Sequence, residues 1–328
     1  MKLFKRLLAV AALLALIGIF VAIHWFDAAI NAAGPLEAAK LVYIAPDTNT
    51  RAMAQQLVKE GVIADPRAFR YEARLQSRIT PLKAGEFSIP AHISILDLVT
   101  LLQSGKTYQH RITIPEGLTS AEVVALLDQQ SALKGTVAQL PAEGSLLPNT
   151  YDFSYGNTRA SLIRRMQKAM QDELAALWTQ RAPDLAINEQ QAVILASIVE
   201  KETGRASDRA RIAGVFFNRL KRGIPLQSDP TVIYALTRGK QMLGRSLTAA
   251  DMKFQSPYNT YLVTGLPPTP ICNPGVAALK AVLNPEKNKY LYFVANGTGG
   301  STFSETLQQH KRDIAQWLHV KRAQKSKK

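Results

Sequence analysis

Residues 188–204 read NEQQAVILASIVEKETG, and this stretch organises the rest of the chain. Asn188 followed three residues later by Gln191 is a capping-box start. An apolar run follows, and Gly204 stands where a C′ glycine would end the helix. At ~100° per residue, with Ile194 at 0°, Ile198 falls near ~40°, Leu195 near ~100° and Val199 near ~140°. Glu202 falls near ~80°, inside that apolar stripe, and Glu200 near ~240°, on the other side. A carboxyl on the stripe is partly desolvated, and it also lies at the negative end of the helix dipole. Both effects raise its pKa. A carboxylic acid still protonated near neutral pH is what general-acid cleavage of a glycosidic bond needs. The structural alternative is a rim glutamate paired with Arg205 or Arg209.

Working toward the C-terminus, Ser207 is expected to cap a helix over 208–222 that ends at Gly223. In Leu226-Gln227-Ser228-Asp229-Pro230-Thr231-Val232-Ile233-Tyr234, Asp229 reads as an N-cap with Pro230 at N1, so Asp229 is structural rather than catalytic. Ser256-Pro257-Tyr258-Asn259-Thr260-Tyr261 and the proline-rich segment 264–275 offer aromatic faces and amides suited to a carbohydrate groove. Tyr290 to Val294 alternates as a strand. The glycines of 296–300 make no phosphate loop, because no Lys-Ser/Thr follows them.

Working toward the N-terminus, a loop from Leu140 to Tyr151 leads into a helix from Thr158 to about Arg181. Phe87-Ser88-Ile89-Pro90 and Ile112-Thr113-Ile114-Pro115 recur 25 residues apart, each followed by a Ser/Thr cap (Ser94, Thr119) and an amphipathic helix. Residues 41–90 read β-α-α-β: strand 41–44, helix 50–60, a second helix from the Asp65 cap and Pro66 to about Gln76, and strand 86–89. That order resembles the LysM module, whose family binds N-acetylglucosamine polymers; a spacer that binds nothing has the same pattern.

Leu7 to Phe26 is a 20-residue apolar run preceded by Lys2, Lys5 and Arg6. About 20 such residues cross the hydrocarbon core, and the charge bias places the N-terminus in the cytoplasm and the rest outside. A cleaved signal peptide would have a shorter apolar run and a small-residue cleavage site. The organisation expected is therefore a cytoplasmic N-terminus (1–6), a transmembrane helix (7–26), a stalk (27–40), a LysM-like subdomain (41–105), a linking βα region (106–139), a catalytic domain (140–320) and a solvated basic tail (321–328). The fold class is α+β.

Composition narrows the chemistry. With 47% apolar and 20% charged residues among 328, disorder is excluded. The single cysteine, Cys272, rules out a disulfide within the chain and argues against a cysteine zinc site. The histidines (24, 92, 110, 310, 319) have no metal-ligand spacing, so no metal or cofactor is expected. A charge of +15 suggests an anionic partner. Outside a bacterial inner membrane, lipid headgroups and cell wall are better candidates than nucleic acid.

Five segments then occur in order: Ile198 to Thr203, Leu226 to Tyr234, Tyr258 to Tyr261, Gly265 to Pro268, and Tyr292 to Ala295. Together they resemble the endolytic murein transglycosylases of the MltG (YceG-like) family, and the anchor and LysM-like unit extend the likeness over essentially the whole chain. The resemblance implies a membrane-anchored enzyme that cleaves nascent peptidoglycan between N-acetylmuramic acid and N-acetylglucosamine and leaves a 1,6-anhydro end. It also implies a catalytic glutamate in the Glu-Lys-Glu-Thr segment. Glu202-Thr203 is similar to the Glu-Ser pair of other lytic transglycosylases, so Glu202 is favoured over the alternative Glu200. Gln227, Tyr258, Asn259, Thr260 and Tyr261 are expected to bind substrate, with Ser228 and Asp229 structural beside them. The implied partners are glycan strands, the inner membrane and peptidoglycan synthases. Two rival readings are a lysozyme-like hydrolase in which Asp229 activates water, and a non-catalytic wall-binding scaffold.

Overall fold

The computed structural model describes residues 2–297 and 299–325. It is a mixed α+β protein with one long N-terminal apolar helix and small two-stranded sheets. The chain divides into two compact units. The first comprises residues up to His110 with Asp152–Gly156; the second comprises Arg111–Tyr151 and Asn157 onward.

In the first unit, α1 (Lys2–Asn31) contains a segment, Phe4–Asn31, long and apolar enough to cross a membrane. Its side chains from Phe4 to Trp25 are exposed. The helix runs past the expected end at Phe26, and the expected stalk is not a free linker. Ile30 and Leu36 are buried, and the Gly34 N–H donates to the carbonyls of His92 and Ile93 at 3.3 and 3.1 Å. A Cβ at Gly34 would sit 2.4 Å from the Ile93 oxygen, so only glycine lets the backbones approach this closely.

β1 (Lys40–Ile44), α2 (Thr50–Lys59), α3 (Pro66–Gln76) and β2 (Gly85–Ile89) follow in the expected β-α-α-β order. β1 and β2 pair antiparallel, Lys40 opposite Ile89 and Ile44 opposite Gly85. Asp65 caps α3 as expected, accepting from Arg67 N at 2.7 Å with Pro66 at N1. One apolar core joins Ile30, Val42, Leu57, Phe69, Phe87 and Leu98. α4 (Ile95–Ser104) is capped by Ser94.

The echo 25 residues on holds at the level of backbone geometry. Thr119 caps α5 (Ser120–Asp128) with the same φ of −72° and ψ of 160° as Ser94, and it makes a full capping box with Glu122. β3 (Gln109–Thr113) and β4 (Thr150–Ser154) form a second pair, and the boundary between the units falls inside both strands. From Arg111 on, the segment expected as a link belongs to the second unit. Asn273 is one reason: its side chain donates to Leu118 O and accepts from Leu146 N, both at 3.0 Å.

The second unit is mainly helical, with α6 (Arg159–Trp178), α7 (Glu189–Glu202), α8 (Ala206–Lys221), α9 (Asp229–Thr237) and α10 (Val276–Leu283). Its hairpin of β5 (Tyr292–Ala295) and β6 (Ser301–Ser304) is followed by α11 (Leu307–Lys325). The helix thus continues into the segment expected to be a frayed basic tail; residues 326–328 of that tail lie outside the described residues. α7 packs against α8, α9 and α10, so Ala192 to Val199 are buried on every side rather than along one stripe.

Candidate acid–base site

The capping box that starts α7 is present: Asn188 accepts from Gln191 N at 2.8 Å, and the Gln191 side chain accepts from Asn188 N at 3.0 Å. The expected end differs. Thr203 is extended (φ −149°, ψ 131°) and terminates the helix, and Gly204 does not adopt a left-handed conformation. Thr203 leaves the helix axis abruptly, with Glu202 as the last helical residue.

Glu202 Oε1 accepts a hydrogen bond from the Ser228 hydroxyl at 2.5 Å. Burial is the main reason its carboxyl is pushed up to about 7. The Ser228 hydroxyl and the Arg219 cation pull it down, and the Asp229 charge pushes it up. At neutral pH the group is therefore poised between its two protonation states.

Ser228 is held by its backbone. It occupies the N-cap position of α9, but its hydroxyl makes no cap bond and turns to Glu202. Its N–H donates to Thr260 Oγ1 at 3.0 Å, its carbonyl accepts from Thr231 Oγ1 at 2.6 Å, and the two threonine hydroxyls lie 2.8 Å apart. Thr260 is therefore a buried clamp behind the site. Asn259 is equally buried: its amide donates to Met252 O and Phe254 O at 3.0 and 2.9 Å and accepts from Tyr261 N at 3.0 Å. Both were expected to touch substrate; the structure commits Asn259 to its own loop and Thr260 to the start of α9.

Asp229 is the first residue of α9 and not its cap, with Pro230 at N2. Its carboxylate accepts from the Tyr261 hydroxyl at 2.6 Å. Burial first, and then this bond, raise the Tyr261 pKa. Gln227 is exposed, has a left-handed backbone (φ 52°) and accepts from Arg219 Nη1 at 3.1 Å. A glutamine in that conformation is strained, as residues at functional sites often are. Tyr258 lies in a different cluster. Its hydroxyl is 2.7 Å from Thr269 Oγ1, its ring centroid is 5.0 Å from that of Tyr234, and Arg238 lies over its ring at 4.9 Å.

Glu200 is not exposed on the far side of its helix. Its side chain is only 6% exposed, accepts from Gly275 N at 2.9 Å and lies 3.6 Å from Arg209. Burial raises its pKa as well. The rim pairing considered for Glu202 thus belongs to Glu200. Ser207 does not cap α8, whose N-cap is Arg205 without a side-chain bond.

Sequence reading missed Arg219. It is buried beside the site, donating to Leu291 O at 2.6 Å, Leu226 O at 2.9 Å and Pro225 O at 3.1 Å, with its guanidinium 5.2 Å above the Tyr292 ring. Burial lowers its pKa. The fixed cation lies near enough to favour the carboxylate of Glu202 without pairing with it.

Glu202, Ser228, Gln227, Asp229, Tyr261 and Arg219 thus form one constellation: an enclosed carboxyl that can give and take a proton, with exposed polar groups at its rim. No group of three or more His, Cys, Asp or Glu among the described residues could hold a metal ion. This is an α+β protein with a candidate acid–base site around one enclosed carboxyl and a helix able to span a membrane. The chain belongs to the YceG-like family, whose model matches residues 42–316. It is 29% identical over 311 residues to an endolytic murein transglycosylase of Bacillus subtilis, covering 85% of each chain. It is 31% identical to one of Streptococcus pneumoniae, covering 85% of this chain and 58% of that protein. A crystal structure of a YceG-like protein from Listeria monocytogenes shares 30% identity with a TM-score of 0.55, over 84% of this chain and 99% of that one.

Proposed function

We propose that this protein is a membrane-anchored endolytic murein transglycosylase that cleaves the MurNAc–GlcNAc bond of nascent peptidoglycan. The observation that carries the reading is the enclosed Glu202 carboxyl, with a pKa pushed up to about 7 and held by Ser228. The names of the relatives supply the substrate class.

An ordinary glycosidase needs two carboxyl groups. A lytic transglycosylase can work with one. Protonated Glu202 gives its proton to the leaving glycosidic oxygen. The resulting carboxylate then removes the proton of the C6 hydroxyl as that oxygen bonds to C1. A 1,6-anhydro ring forms, the glycosidic bond breaks, and Glu202 ends protonated. Ser228 keeps the carboxyl oriented through both transfers, and Arg219 tempers the cost of its charged state. Gln227 and Tyr261 position the sugar, with Asp229 orienting Tyr261.

In this reading α1 crosses the inner membrane with its N-terminus in the cytoplasm and the chain that follows it outside. The β-α-α-β segment is a LysM-like module for the glycan, and the synthases that make the strand are partners. The test is mass spectrometry of muropeptides from purified glycan strands. The wild type should release anhydro-muropeptides and Glu202→Gln should not. Reducing ends would favour the hydrolase instead.

A further inference from the structure

α3 carries a basic face whose guanidiniums have no partner among the described residues. With Arg67 at 0° and ~100° per residue, Arg74 falls near ~340°, Arg70 near ~300°, Tyr71 near ~40° and Leu75 near ~80°. The buried residues Ala68, Phe69, Glu72 and Ala73 occupy the opposite side. Arg67, Arg70 and Arg74 join Arg51 of α2 around an open hollow of about 560 Å³. All four are exposed. Among the described residues, none of the four guanidiniums is hydrogen-bonded or ion-paired. Three of the nearby acids in sequence are engaged elsewhere: Glu60 with Lys40 at 2.7 Å, Asp65 as the cap of α3, and buried Glu72 with Gln76; Asp47, four residues before Arg51, is exposed and pairs with none of the four. Beside the arginines stand two exposed apolar side chains, Tyr71 (61% exposed) and Leu75 (53%).

The position of this face along α1 says what it meets. The 20 residues Leu7 to Phe26 span ~30 Å at 1.5 Å per residue, the thickness of the hydrocarbon core. Phe26 therefore stands at the membrane boundary, and its ring is 4.7 Å from that of Tyr71. Arg67, Arg70 and Arg74 lie within about one turn of Tyr71 on α3. Guanidiniums on flexible stems, flanked by an aromatic and a leucine at headgroup depth, match an anionic lipid surface.

We infer that the Arg51–Arg67–Arg70–Arg74 face is a docking surface for anionic phospholipid headgroups, seating the first unit on the leaflet from which α1 emerges. The inference rests on α1 spanning the membrane and is independent of the catalytic assignment.

The test uses the full chain in nanodiscs, with Leu75→Cys carrying an environment-sensitive fluorophore. The native Cys272 is fully buried and its thiol pKa is raised, so it does not compete for the label. The label should be shielded from aqueous iodide in discs containing phosphatidylglycerol and exposed in discs of phosphatidylcholine alone. Arg70→Gln with Arg74→Gln should lower the ratio of seated to free protein roughly fivefold per arginine. Equal quenching in both discs, with the protein incorporated, would overturn the proposal and leave the anchor standing. Shielding in phosphatidylcholine discs by inorganic phosphate or soluble glycan fragments would also overturn it, assigning the face to a free anion or to the wall polymer. Failure to incorporate at all would remove the anchor and the docking surface together.

Discussion

The Ser228 hydroxyl reaches Glu202 at 2.5 Å from a helix N-cap position, where serine ordinarily caps its own backbone. α9 gives up its side-chain cap, and the hydroxyl that could have made it controls a carboxyl on another helix. Because this bond holds the Glu202 pKa down, Ser228→Ala should push it further up. The alkaline limb of the pH–kcat profile should move to higher pH by about one unit, each unit corresponding to ~1.36 kcal/mol. An unmoved limb would mean that the bond does not act on the titrating group.

Burial raises Glu202 from 4.5 to about 7. Between those values the folded protein keeps a proton that the unfolded chain has released. The associated stability is therefore complete below the lower pKa and is lost as pH rises through the upper one. Glu202→Gln removes the charge, so it should match the wild type near pH 4 and exceed it near pH 8, by up to roughly 3 kcal/mol. Urea melts at the two pH values read this directly. The same variant should lose ~10²–10⁴-fold in rate if Glu202 is the proton shuttle.

Glu200→Gln should behave differently. It removes one of two carboxylates near Arg209, the other being Glu116 at 3.8 Å, while its amide oxygen can still accept from Gly275 N. Because burial holds its pKa up, the folded protein disfavours the charged form, so no stability loss is expected near pH 7, and kcat should stay within about tenfold of wild type. Loss of anhydro product from a folded Glu200→Gln, with Glu202→Gln active, would move the catalytic assignment to Glu200.

Gly214 lies inside α8, where alanine would ordinarily stabilise by about 1 kcal/mol. Here a Cβ would stand 2.3 Å from the Glu286 carbonyl oxygen and 2.5 Å from Asn288 Nδ2. Gly214→Ala should therefore lower the melting temperature, with a net cost of about 1–3 kcal/mol. A rise would show that the 286–288 segment yields easily.

Helical periodicity identified Glu202 because a carboxyl among apolar residues stands out in sequence. The same test would have found Arg219. On α8, Ile212 at 0°, Phe216 near ~40° and Val215 near ~300° flank Arg219 near ~340°. Near a helix end, an arginine is also what the helix dipole favours, so its place on the apolar face is the only signal that sets it apart. Sequence placed Glu200 away from Glu202 but not its burial: a stripe presumes an open face, and α7 has none, being packed against three other helices. For Asn259 and Thr260, sequence showed a loop rich in polar groups but not which way they turn. That depends on the Met252 and Phe254 carbonyls and on Thr231, none of which carries a signal of its own. Of the caps read from sequence, Asp65, Ser94, Thr119 and Asn188 act through bonds within their own first turn, whereas Ser207 and Asp229 lie one or two residues inside the helices they were expected to cap.

α1 enters the core of the first unit without an intervening tether, through buried Ile30 and the Gly34 bonds. A domain on a flexible leash explores a volume set by the length of the leash. With α1 in a bilayer, this unit travels only as the helix does, so its encounters come by lateral diffusion in a thin layer at the lipid surface. Encounter frequency then follows the number of partners per unit area of membrane rather than their bulk concentration, and anything that has moved outward from the lipid leaves the first unit's range.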